Sequence, residues 1–195
     1  MTAKKKIKIT FNSPVVLSLV AISFIATLLN YVTGGASGRM LFMTYHSPLL
    51  SPMTWIRAFT HIFGHADWAH LIGNMSYLLL LGPILEEKYS SQTLAGVIAI
   101  TAVVTSIVNY IIFPNIGLCG ASGVVFAFIL LSSFTGFKEG EIPVTFILVA
   151  AFFLGQQVYD GITVQDNISN MAHIVGGIIG GLLGYGLNKK SRFER

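Results

Sequence analysis

Apolar residues fall in six long blocks, separated by stretches carrying glycine, proline and charge. The blocks run roughly over 14–33, 68–85, 92–112, 119–137, 142–159 and 169–188. Each approaches the ~20 residues that a helix needs to cross the hydrocarbon core of a bilayer. The pattern predicts an all-α polytopic membrane protein with six transmembrane helices. No Asp, Glu, Lys or Arg occurs between Tyr89 and Phe137, a run of 49 residues, which leaves room for two spans and a turn. The stretch 34–67 breaks the pattern. It combines Gly34, Gly35, Pro48, Pro52, Arg39 and Arg57 with Trp55, Phe59 and Phe63. It is too polar to span and too aromatic to lie free in water, so it predicts an interfacial loop with short helices.

Composition sharpens this picture. Of the 195 residues 53% are hydrophobic and 10% charged, against about 25% charged in a soluble domain; the mean hydropathy is +0.72. The charges gather in two basic tails, 1–13 and 189–195, which flank a membrane domain over 14–188. The apolar run from Pro14 is longer than a signal-peptide core and is expected to stay as an uncleaved first helix. With six spans, both tails, Lys88 and Lys138 share one side, which carries ten of the twelve basic residues; Arg39 and Arg57 lie on the other. The positive-inside rule then puts both termini in the cytoplasm of a multi-pass cell-membrane protein. The net charge of +4 belongs to membrane-flanking anchors, so the expected surroundings are a lipid bilayer and not nucleic acid. A single cysteine, Cys119, excludes an intrachain disulfide.

Polar side chains at membrane depth are costly and ask for a reason. Ser122 lies in Gly120-Ala121-Ser122-Gly123 at the start of the fourth block. The backbone N–H groups of a helix's first turn, here those of Ala121 and Ser122, lack intrahelical partners and can face a developing oxyanion. His173 opens the sixth block, followed by Gly176, Gly177, Gly180, Gly181 and Gly184. These form a small-residue face that lets a neighbouring helix come close. His70 and Asn74, four apart on one face of the second block, both carry N–H donors. Each group alone has an ordinary reading as interhelical packing or hydrogen bonding. Together, all three sit near the start of an outside-to-inside span, at one level toward the extracytoplasmic side. A nucleophile, a base and oxyanion donors at one depth make an acyl-transfer site. No acidic residue lies at that level in a span, so a Ser122–His173 dyad without an orienting carboxylate is expected. His61, His65 and His70 could together ligate zinc, but the H-E-x-x-H pattern is absent. No metal or cofactor is expected, and His61, His65 and Cys119 receive no role.

At these residues the chain resembles the rhomboid family of intramembrane serine proteases, in its minimal six-helix bacterial form. Gly120-Ala121-Ser122-Gly123 resembles that family's G-x-S-G motif. The run from Ala172-His173 through Gly176 to Gly180 resembles its A-H-x-x-G-x-x-x-G motif, and His70 with Asn74 its H-x-x-x-N motif. Arg57 with Phe59-Thr60-His61 resembles a stretch of its first loop, and Glu86 the acidic residue that closes its second helix. The resemblance implies a serine endopeptidase that cuts single-span membrane proteins near the outer face. Ser122 and His173 would be catalytic, with oxyanion donation by His70, Asn74 and the Ser122 amide. Gly120, Gly123, Phe126, Gly176, Gly180, Arg57 and Glu86 would support them. Phe126 departs from the tyrosine of many bacterial members but keeps the ring that stacks on the histidine. The competing expectations are a catalytically inactive relative that binds membrane clients, and a small membrane transporter.

Overall fold

The computed structural model describes residues 9–135, 142–163 and 169–190, and among them every regular element is helical. The tail residues Lys4, Lys5, Lys6, Lys8, Arg192 and Arg195, together with Lys138, lie outside the described residues. The helices are α1 (Pro14–Val32), α2 (Ala36–Leu41), α3 (Pro52–Thr60), α4 (Trp68–Tyr89), α5 (Ser91–Ile112), α6 (Ser122–Ser132), α7 (Val144–Thr163) and α8 (Ser169–Lys190). A helix stands at each of the six apolar blocks. Short helices fill the 34–67 stretch, where a 3₁₀ turn over His61–Phe63 follows α3.

Among the described residues, length and composition mark four candidate membrane spans: Pro14–Val32, Trp68–Tyr89, Ser91–Ile112 and Asn170–Asn188. The fourth predicted block, 119–137, is corrected. Its helix holds only 11 residues, a rise of about 16 Å against a ~30 Å hydrocarbon core. Gly120 stands at φ +123°, a conformation that no helix continues through. At the other end the chain turns after Ser132, with the Phe134 N–H on the Leu131 carbonyl. α7, Val144–Thr163, holds 20 residues.

α6 is the centre of the fold. Val124, Val125, Ala127, Phe128, Leu130 and Leu131 are all buried, as expected of a helix apolar on every face. It packs on α4, α5, α7 and, most extensively, α8. The outer helices carry large exposed apolar side chains such as Ile25, Leu80, Ile111, Phe152 and Leu182, which suits a lipid surround.

The predicted end of the second block at 85 is also moved, because α4 runs on to Tyr89. Glu86 does not break the helix because its charge is satisfied. It is 5% exposed, and its carboxylate accepts the Val15 N–H at 3.0 Å, the Val16 N–H at 3.1 Å and the Ser91 hydroxyl at 2.7 Å. The first turn of α1 has N–H groups without intrahelical partners and a positive dipole end, and a carboxylate answers both.

Candidate active site

Three helix starts carry the predicted residues. His70 and Asn74 lie in the first two turns of α4, Ser122 opens α6, and His173 lies in the second turn of α8. Along 122–131 only Ser122 and Phe126 are partly exposed; every other position is buried. Four residues apart, they share one face of α6. The His173 ring stacks on Phe126, with centroids 4.3 Å apart and planes within 6°. Phe153 of α7 meets the same Phe126 ring edge-on at 6.0 Å.

The glycine face explains how His173 comes so near α6. A Cβ on Gly176 would land on the Gly123 carbonyl oxygen, and one on Gly180 on the Ala127 carbonyl oxygen. A Cβ on Gly184 would lie 2.6 Å from the Phe134 ring. Gly176, Gly180 and Gly184 form one seam at a spacing of four, against Gly123 and Ala127 at the same spacing. Gly177 instead faces Leu154 of α7, and Gly181 meets nothing within 4 Å. The two backbones touch because neither helix presents a side chain between them.

His70 and Asn74 reach the chain just before Ser122. A Cβ on Gly120 would lie 2.7 Å from His70 Cε1, 2.8 Å from its Nε2 and 3.8 Å from Asn74 Nδ2. Glycine is therefore required at 120 twice over, for its φ and for the space that His70 occupies. Asn74 is buried, and its Nδ2 has no hydrogen-bond partner among the described residues. A buried amide donor left unpaired is uncommon and asks for an explanation.

The 34–67 segment holds the approach to Ser122, which the sequence did not disclose. Thr44 and Leu118 exchange backbone hydrogen bonds of 2.9 and 2.8 Å. The Gly120 N–H donates to the His61 carbonyl at 2.9 Å. The Ala121 N–H, nominated for an oxyanion, is directed at His65 Nε2 at 3.4 Å. His61 in turn lies 3.4 Å from the Thr105 hydroxyl of α5. In the sequence His65 stood out only as a metal option, and His61 as that and as part of a resembling loop stretch, because nothing in it says which backbone groups they meet. Cys119 is half-buried, and burial raises its thiol pKa, which keeps it protonated and poorly nucleophilic.

Two nominated residues lie elsewhere. Arg57 is buried within the 34–67 segment, donating to the Tyr45 hydroxyl at 2.8 Å and Ser47 Oγ at 3.0 Å, with its guanidinium 4.2 Å from the Tyr45 ring centroid. Glu86 sits in the last turn of α4, about 24 Å along the helix from His70.

Comparison with known proteins identifies the family. The family model of the Rhomboid domain matches residues 52–190. The chain is 26% identical to Rhomboid-like protein 11, chloroplastic, of Arabidopsis thaliana over 150 residues, 69% of this chain and 53% of the plant protein. It is 29% identical to Rhomboid-related protein 1 of Caenorhabditis elegans over 148 residues, 71% of this chain and 41% of the worm protein. With Rhomboid-related protein 2 of Mus musculus the identity is 28% over 158 residues, 70% of this chain and 52% of the mouse protein. The chain thus spans about half the length of the curated relatives it matches. With its apolar helices, its helix-start motifs and a domain match over most of its length, this multi-pass membrane protein belongs to the rhomboid family.

Proposed function

We propose that the chain is an intramembrane serine endopeptidase acting on single-span membrane proteins. The observation that carries this reading is the stack of His173 on Phe126, four residues from Ser122 on the one partly open face of α6. In this reading the Ser122 hydroxyl attacks the scissile carbonyl carbon and His173 takes its proton. The tetrahedral oxyanion receives hydrogen bonds from Asn74 Nδ2, His70 and the Ser122 N–H. Collapse breaks the C–N bond, His173 returns the proton to the leaving amine, and an acyl-Ser122 ester remains. A water molecule, deprotonated by the same imidazole, hydrolyses the ester and restores the hydroxyl. The ring of Phe126 does the orienting that a carboxylate does in a triad. No cofactor enters the cycle. Asn74 suits its part because its Nδ2 is buried and has no partner among the described residues, so an oxyanion would satisfy it.

The same reading takes the chain across the membrane six times, α6 covering only part of the thickness, with the 14–188 domain between two cytoplasmic basic tails. The short α6 then starts below the outer surface, which puts the site within the outer half of the bilayer, where a substrate's span enters. The test is co-expression with a panel of single-span proteins, comparing wild type with Ser122→Ala, His173→Ala and the double variant. Cleavage should vanish in each single variant, and the double should be no worse, because the pair acts as a unit. Binding of the panel without any cleavage by wild type would replace this reading with that of a client-binding relative.

A further inference from the structure

The Ala121 N–H is directed into the 34–67 segment, toward His65. His65 is 1% exposed. Its Nδ1 lies 3.2 Å from the Phe63 carbonyl, a partner that can only accept, so Nδ1 carries the proton. Neutral imidazole has one donor and one acceptor nitrogen. The Phe63 contact therefore leaves Nε2 as an acceptor, and the Ala121 N–H faces it at 3.4 Å. The other face of the ring is held edge-on by His70, with centroids 5.0 Å apart. Burial first, and the neighbouring His70 second, push the His65 pKa down to about 4, so the acceptor form prevails at neutral pH.

From this geometry we infer that His65 is a positioning residue for the proposed nucleophile: its Nε2 holds the Ala121 N–H and so sets where Ser122 begins α6. The inference rests on the reading of Ser122 as nucleophile, and it adds a residue that neither motif nor resemblance assigned. Two further bonds act beside it, the His61 carbonyl on the Gly120 N–H and the Thr44–Leu118 pair. They fix residues 118 and 120, while His65 fixes 121, the last residue before the serine. An error of about 1 Å in a reacting group can cost on the order of 10²-fold in rate, so the last tether matters most to chemistry. His65 touches no reacting atom itself; it acts through the backbone.

The acceptor is what the experiment must isolate. Gln and Met have nearly equal length and volume, but only Gln carries an acceptor near the position of Nε2. His65→Gln and His65→Met are compared in detergent, below their melting temperatures. One readout is amide hydrogen exchange of the peptide containing residues 119–123, and the other is the rate at which a fluorophosphonate modifies Ser122. The expected result is faster exchange and a roughly 10- to 100-fold slower modification in His65→Met, with His65→Gln within several-fold of wild type. Equal behaviour of the two variants in exchange would overturn the inference. If the wild type is not modified at Ser122 at all, the protease reading fails, while the exchange comparison still decides the tether. A variant-free check covers the case in which His65→Met does not fold. In wild-type protein with ¹⁵N-labelled histidine, the His65 signals should show Nδ1 protonated and Nε2 bare; the opposite tautomer would overturn the inference.

Discussion

Gly176 of α8 lies so close to Gly123 of α6 that a single added Cβ would land on the Gly123 carbonyl oxygen. The atom it meets is backbone, so no side-chain rotation can relieve the clash and the helices must part. One turn on, Gly180 stands in the same relation to Ala127. His173 lies three residues before Gly176, so this seam sets the distance between the imidazole and the face of α6 that carries Ser122.

Gly176→Val and Gly180→Val should therefore lose thermal stability and cleavage together. A displacement of about 1 Å predicts a loss on the order of 10²-fold in rate. Gly186 meets nothing within 4 Å, and Gly186→Val should stay near wild type. Melting temperature and cleavage of a single-span reporter, both in detergent, check this. Wild-type cleavage by both seam variants would remove the seam from the account.

The stack of Phe126 on His173 predicts a graded series. Phe126→Tyr keeps the ring and should cleave within a few-fold of wild type. Phe126→Leu keeps apolar bulk but loses the stacked face, worth about 0.5–1.5 kcal/mol. The turnover number should fall about 2- to 10-fold, with little change in KM. A series in which Leu and Tyr behave alike would mean that the stack does not orient the imidazole.

Asn74 gives a sharper outcome. Its Nδ2 has no partner among the described residues, so truncation removes little from the folded state. Asn74→Ala should keep its melting temperature within a few degrees while turnover at saturating substrate drops by roughly 10²–10³, the usual loss for one oxyanion donor. Full activity in that variant would leave the buried amide unexplained.

The site residues that recur in motifs were legible in the chain because their chemistry is expensive at membrane depth. Ser122, His173, His70 and Asn74 stand out against apolar surroundings, and the six helices follow from block length. Two things were not legible. The first is the extent of α6. Apolar residues run on both sides of it, and only the backbone at Gly120 and the turn after Ser132 show where it begins and stops. The second is the work of the 34–67 segment. Its composition said interfacial, yet its backbone and two histidines grip residues 118–121. Such contacts join residues some 55–75 positions apart, and each uses a main-chain atom on at least one side, which has no side-chain signature. The apolar block likewise ends at 85, before Glu86, and α4 continues past it because α1 supplies N–H groups to its carboxylate.

The most direct measurement is covalent labelling of the purified protein with a fluorophosphonate, the adduct mapped by mass spectrometry. An activated serine beside a histidine should take the label at Ser122. Ser122→Ala should abolish labelling, and His173→Ala should reduce it to background while both variants remain folded. Absence of label on folded wild-type protein, or an adduct at a residue other than Ser122, would contradict the account.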